Sequence, residues 1–344
     1  MANVEFKPQA AILLVQLGTP DSTSVPDVRR YLREFLSDRR VVETSPWIWQ
    51  PILHTLVLPR RPKESAQKYA AIWTEAGSPL LVNTRLTAQA LSEELKIRGR
   101  LVEVHWAMRY GNPGMAQALR DLRDRGFDKV LVVPMYPQYS ATTSGTVFDV
   151  IAREFLTWRD IPSLRFVKSF HDDPGYIEAV ADSIRQRWRQ ADGGKPDRLI
   201  FSFHGLPQSC VDQGDPYQKQ CEESGALIAA ALGLARDEWL VSYQSRFGRE
   251  EWIQPYTQPT VEKLAGQGVK TIDVVCPGFL SDCIETLEEI DMEVHNAFMR
   301  AGGRRFRYIH CLNDAPLWIH ALAEIVGSEL SGWKTREVDL VRRR

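Results

Sequence analysis

AAILLVQLG, residues 10–18, is apolar almost from end to end, interrupted only at Gln16 and closed by Gly18. A strand with one wet face alternates apolar and polar residues. A continuous run of this length is expected of a strand covered on both faces, as in a parallel sheet. Working outward, shorter runs of the same kind recur at 102–107, 129–133, 164–168, 198–203, 239–243, 271–275 and 305–309. Helical patterns lie between them. Pro26 stands at a first helical position ahead of DVRRYLREFL, and 115–125 carries apolar residues at helical spacing before Gly126. Segments 176–188, 221–232, 261–264 and 282–299 continue the alternation. Strand–helix–strand order implies parallel sheets with crossover helices, an α/β chain.

The chain has 344 residues, enough for two domains or one large one. DDPGY (172–176) and ADGGKPD (191–197) are turn-rich breaks, and each half holds several strand candidates. The expected division is an N-terminal α/β lobe over 1–157, a C-terminal α/β lobe over 158–314, and a last helix in 315–344 packing back on the first lobe. The two lobes are expected to be Rossmann-like, with a cleft between the carboxyl ends of their strands. Lys plus Arg number 43 against 44 Asp plus Glu, a net charge of −1, which argues against a nucleic-acid binder. The five cysteines (Cys210, Cys221, Cys276, Cys283, Cys311) form no CxxC pair, so neither a zinc ribbon nor a disulfide framework is expected. The N-terminus MANVEFKPQA has no apolar core of a signal peptide, and no stretch is long enough to span a bilayer. A cytoplasmic protein is the expectation.

Four segments carry chemistry. In SFHGLP (202–207) a strand runs straight into His204, which places an imidazole where the chain turns. It can ligate a metal or accept a proton, or it can simply bond a nearby carbonyl and shape the turn. In VVCPGFLSDCIETLEEIDMEVHNAF (274–298) a helix is expected from Ser281. Between 282 and 293 it carries Asp282, Glu285, Glu288, Glu289, Asp291 and Glu293, with no Lys or Arg before Arg300. At helical spacing Asp282, Glu285, Glu289 and Glu293 form one stripe, and Ile284, Leu287, Ile290 and Val294 form another nearly opposite. That pattern fits a solvated face. An acidic ladder without a compensating base equally fits a path for a visiting cation. Third, the loops RYGNP (109–113) and MYPQYSATTSG (135–145) follow strands and offer Arg109, Tyr110, Tyr136, Tyr139, Ser140 and Thr142. A cation among aromatics suits a large flat anionic ligand, while each tyrosine by itself is as readily a packed loop residue. Fourth, SPWIWQPILHTLVLPRRP (45–62) reads either as a buried segment or as an exposed apolar lip with interfacial Trp, touching lipid or an apolar substrate through 47–58.

Together these segments resemble the ferrochelatase family, which inserts ferrous iron into a porphyrin. The resemblance runs almost end to end through VQLGTP, YLREFLSD, IWTEAGSPL, RYGNP, YPQYS, SFHGLP, YQSRFGREEWIQP and SDCIETLEEID. It implies that His204 and Glu285 are the metal-site pair, with Glu289 continuing an acidic path; the chemistry of the acidic helix adds Asp282 to Glu289 as a relay for cations in or protons out. The resemblance implies that Arg109, Tyr110, Tyr136, Ser140 and Trp252 line the porphyrin cleft, with 45–62 as the apolar lip at its mouth. The activity implied is insertion of Fe2+ into protoporphyrin IX, giving protohaem and two protons. Metallation of coproporphyrin, insertion of cobalt, and a non-catalytic haem or metal carrier stand as alternatives. Iron is then a substrate and no cofactor is permanently bound. Where many family members have His, this chain has Cys283. Its tail, 327–344, contains no Cys, so no iron–sulfur cluster is expected. The implied location is cytoplasmic, peripheral at the inner face of the membrane.

Overall fold

The computed structural model describes residues 9–190, 194–248 and 250–335. The start of the N-terminal reading and the end of the cysteine-free tail lie outside these residues. Strand β1 (Ala10–Thr19) is central in a four-stranded parallel sheet with β2 (Glu103–Gly111), β3 (Lys129–Pro134) and β4 (Ser163–Phe166), in the order β2-β1-β3-β4. Its continuous apolar run is accounted for by two covered faces. Ile12 and Leu14 pack with Leu91 and Leu95 of helix Pro79–Ile97, while Ala11, Leu13 and Val15 pack with Leu119, Leu122 and Ile151 on the other side.

The second sheet repeats the plan with β5 (Arg198–His204), β6 (Trp239–Gln244), β7 (Thr271–Val275) and β8 (Arg305–Ile309), in the order β6-β5-β7-β8 and again parallel. Strand β5 divides its faces as β1 does. Phe201 and Phe203 join Cys221 and Ile228 of helix Tyr217–Ala231, and Ile200 joins Val261 and Phe298. The cluster holding Ile12 and Leu14 is the same one that holds Phe201 and Phe203. It runs through Tyr176 and Trp318, so one hydrophobic core joins the two halves. Helix Pro316–Glu329 packs on helices Pro79–Ile97 and Pro174–Arg189.

The boundary falls later than 157/158. Strand β4 pairs with β3 in the first sheet, from Lys129↔Ser163 to Val132↔Phe166. The polar, Pro-containing stretch 157–162 is therefore the return loop of a strand–helix–strand unit built on helix Thr146–Phe155, and the chain enters the second half only after Phe166. Loop composition looks alike within a crossover and between lobes, and sheet pairing is what separates the two cases.

The segment 45–62 is helical: helix Pro46–Ile52, a π-helical turn Leu53–Val57, then helix Leu58–Ile72. Leu53 is fully buried and the Trp49 indole donates to Leu36 O at 2.6 Å, which fixes one side. The other side leaves Trp47 91% exposed and Ile48 59% exposed. Among the described residues no helix is long and apolar enough to cross a membrane. All five cysteines are buried and unpaired.

Candidate active site

The carboxyl ends of the two sheets face a cavity of about 600 Å3. Leu17, Phe35, Tyr136 and Gln138 line it from the first half, Trp49 and Arg61 from the helical segment, and His204, Trp252, Phe279, Cys283 and Glu285 from the second. His204 is the last residue of β5, and its Nδ1 lies 2.7 Å from Gly205 O. A carbonyl can only accept, so in the neutral ring the proton sits on Nδ1 and the Nε2 lone pair is left available. The following residue has to be glycine. A Cβ on Gly205 would stand 2.8 Å from Gln244 O and 2.9 Å from Trp252 Cε3.

Glu285 opens a π-helical stretch, Glu285–Val294. The helical turns start later than Ser281, because 281–283 are tied elsewhere: Asp282 N donates to Asn313 Oδ1 (2.9 Å) and Cys283 N to Thr286 Oγ1 (3.0 Å). The expected carboxylate stripe divides among four surroundings. Glu285 reaches the cavity. Glu289, one turn on, is turned into the protein: Ser245 N donates to Oε1 at 2.7 Å, and Ser245 Oγ donates to Oε2 at 2.5 Å. Burial pushes the Glu289 carboxyl above its ordinary range, opposed by the Ser245 bonds and the His204 charge. Ser245 makes these bonds from a left-handed backbone, φ 65°.

Asp282 is a correction to the relay reading. Its carboxylate accepts from Tyr308 OH (2.6 Å), Asn313 Nδ2 (2.8 Å) and Cys311 N (3.2 Å), and it pairs with His310. Burial pushes this carboxyl up, and the bonds from His310, Tyr308 and Asn313 outweigh it, leaving it below its usual value. It pins a loop and does not line the cavity. The ladder is also not without a base. Lys68 Nζ, from helix Leu58–Ile72, lies 3.0 Å from Glu288 and 2.7 Å from Glu293.

A ferrochelatase family model matches residues 9–330. Ferrochelatase of Azoarcus sp. (strain BH72) is 53% identical over 327 residues, covering 95% of this chain and 89% of that one. Ferrochelatase of Bordetella pertussis (strain Tohama I) is 51% identical, covering 95% and 90%. The chain belongs to the ferrochelatase family. It is accordingly a porphyrin metal chelatase, an iron-handling enzyme of haem biosynthesis. Among solved structures, SirB from Bacillus subtilis with Fe3+ superposes with a TM-score of 0.55 at 14% identity, covering 95% of this chain and 96% of that one, a likeness of fold.

For a chelatase of this family the remaining expected cleft residues divide sharply. Tyr136 and Trp252 line the cavity, and the buried Tyr136 hydroxyl has no hydrogen-bond partner among the described residues. Arg109, Tyr110 and Ser140 do not line it. Arg109 donates to Thr146 Oγ1 (3.0 Å) and to Asp38, Tyr110 OH donates to Asp38 Oδ2 (3.0 Å), and Ser140 Oγ donates to Asp215 Oδ2 (2.9 Å). They brace the wall from behind. Arg109 and Tyr110 belong to the carboxyl end of β2 itself and not to the loop after it, and two carboxylates from elsewhere, Asp38 and Asp215, draw these side chains and that of Ser140 inward. Asp38 is the last residue of YLREFLSD, and only its place in that motif marked it. Cys283 lines the cavity close to Glu285, and burial pushes its thiol well above the ordinary range. Sequence reasoning missed Gln244 and Ser245, which lie inside YQSRFG and whose partner Glu289 is 45 and 44 residues away.

Proposed function

We propose that the enzyme inserts ferrous iron into protoporphyrin IX, forming protohaem and releasing two protons. The observation that carries this reading is that His204 and Glu285, from different elements, line one cavity between the two sheets. Removal of two pyrrole protons needs an acceptor, and the His204 Nε2 lone pair is the acceptor or iron contact. Glu285 handles the metal; Glu289, held one turn further on, continues the acidic path. A neutral imidazole plus carboxylates makes a labile set suited to iron(II), in contrast to a closed four-ligand structural site. Tyr136 and Trp252 pack against the macrocycle, whose anionic side chains find Arg61, the one guanidinium among the lining residues. Arg109, Tyr110 and Ser140 act one step back by fixing the wall. Iron is substrate here and no resident cofactor or iron–sulfur cluster belongs to the reading, nor does nucleic acid. The exposed Trp47, Ile48, Ile52 and Leu56 support peripheral contact with the inner face of a membrane from the cytoplasm through 47–58.

Porphyrin fluorescence tests the reading. With protoporphyrin IX and ferrous iron, the wild type consumes the free-porphyrin signal catalytically, and prefers it to coproporphyrin III. His204→Ala and Glu285→Gln lower turnover by about 10²–10⁴-fold, the range for losing a proton-transfer group, while porphyrin still binds. Near-normal turnover in either variant refutes the assignment. Stoichiometric quenching in the wild type would mark a carrier, and faster use of coproporphyrin would overturn the substrate.

A further inference from the structure

Behind the cavity lies a row of buried polar side chains that no step of the reaction accounts for. Ser202 and Ser242 are 0% exposed, Thr257 is 1% exposed and Gln244 is 3% exposed. Ser242 Oγ stands 2.9 Å from Thr257 Oγ1, Thr257 Oγ1 stands 2.9 Å from Ser202 Oγ, and Ser202 Oγ stands 2.8 Å from Gln244 Oε1. One proton order satisfies the whole row. The amide oxygen can only accept, so Ser202 donates to it. Ser202 has then spent its proton and accepts from Thr257, which in turn accepts from Ser242. The Cys276 thiol donates to the same amide oxygen at 3.6 Å. The Gln244 amide is thereby held with its nitrogen toward the site. Its two N–H groups serve Glu285 O at 2.7 Å and Glu289 Oε2 at 3.3 Å. Flipped, the amide would set its oxygen against a carbonyl and a carboxylate.

We propose that Gln244 is a positioning residue for iron insertion, fixing His204 and Glu285 relative to each other from the end of β6. This role rests on the reading that His204 and Glu285 carry the proton and the metal. Gln244 does not itself line the cavity, so it acts through its partners. On one side it is the register partner of His204 in the β5–β6 pair, and its carbonyl accepts the Gly205 N–H at 2.7 Å. Gly205 O lies 2.7 Å from His204 Nδ1, so the strand end that holds Gly205 also orients the imidazole. On the other side its amide grips the opening turn of the π-helical stretch at Glu285 and again at Glu289, four residues on. A buried polar network is costly unless every member is satisfied. Here every member is satisfied, and its last two donors end on the two carboxylate-bearing residues of the site.

Gln244→Met keeps the side-chain length and removes the amide, while the main-chain bond to Gly205 stays. Insertion of ferrous iron into protoporphyrin IX is measured at steady state, counted per porphyrin-binding site by fluorescence titration. The expected result is a kcat about 100-fold below wild type, the cost of a displacement of about an ångström, with porphyrin affinity unchanged. Ser202→Ala removes the hydroxyl that orients the amide and should lower kcat about fivefold, the worth of one neutral hydrogen bond. Because Ser202 acts through Gln244, adding Ser202→Ala to Gln244→Met should lower kcat no further. A side chain that only supported the fold would lower the unfolding midpoint and leave kcat per site at the wild-type value. The proposal is overturned by that result, or by two substitutions whose effects on kcat multiply. If Gln244→Met does not fold, Ser202→Ala decides, and an unchanged kcat per site overturns the proposal. Failure of the wild type to insert iron would instead strike the chelatase reading, so the two failures are told apart.

Discussion

Ser245 is the position where strain and function are tied most closely, and two substitutions separate them. Its side chain donates to Glu289 Oε2 at 2.5 Å and its backbone N–H to Oε1 at 2.7 Å, from φ 65°. A non-glycine residue in the left-handed region costs about 1 kcal/mol. A hydrogen bond to a charged group contributes about 1.5–3 kcal/mol, and the lower end applies because the site is partly exposed. Ser245→Ala loses the hydroxyl bond and keeps the strain, so it should destabilise by about 1.5 kcal/mol. Ser245→Gly loses the same bond but is at ease at this φ, so its deficit should be only about 0.5 kcal/mol. Both retain the backbone bond. The sign of the pH dependence follows from Glu289. Its folded-state carboxyl lies above its ordinary value, chiefly through burial, so the stability it contributes is complete below the unfolded carboxylate range and is lost as pH rises through the folded value. Removing the Ser245 hydroxyl raises that folded value further. The Ser245→Ala deficit should thus be small at about pH 4 and widest near neutrality, where the carboxylate must ionise with one donor fewer. Guanidinium unfolding midpoints of the three proteins across that interval measure it. If the glycine variant is no more stable than the alanine variant, or if the deficit is the same at both ends of the pH range, the account of Ser245 is wrong.

Glu289→Gln removes the ionisation altogether. Its unfolding midpoint should fall less steeply than the wild type's as pH rises above the ordinary carboxylate range, so that the two curves converge or cross toward neutrality. Asp273→Asn breaks a bidentate pair with Arg307, bonds of 2.7 and 2.6 Å between groups 0% and 4% exposed, and should cost about 3 kcal/mol in denaturant unfolding; chelatase turnover of the folded fraction should change little. Gly205→Ala drives a Cβ to 2.8 Å from the carbonyl that accepts the Gly205 N–H, so the His204 turn must move; turnover should drop about 100-fold, the effect of an ångström's displacement, and steady-state kinetics with unchanged turnover would contradict this.

What the sequence discloses about this molecule is set by the range over which its interactions act. Strand β1 was legible because burial of both faces leaves its mark inside the strand itself, and His204 because it directly follows such a strand. Asp38 was marked only by its place in YLREFLSD, and Asp215 and Lys68 by nothing local, since each acts on a partner 71 or more residues distant. The acidic helix failed for a different reason. An α-helical stripe of Ile284, Leu287, Ile290 and Val294 was the natural reading, yet within the π-helical stretch itself the residues most deeply buried are Thr286, Ile290 and Val294, at steps of four. In an α-helix such a repeat drifts about 40° at each step and leaves the core after two turns. In the wider i→i+5 turn it stays closer to line, which is how one stretch keeps Ile290 and Val294 in the core and still sends Glu285 to the cavity and Glu289 to Ser245. The π-helical register is therefore what separates the two carboxylates from the solvated face that simple periodicity assigned them. Any substitution that restores α-helical winding between 285 and 294 must turn at least one of them away from where it now points.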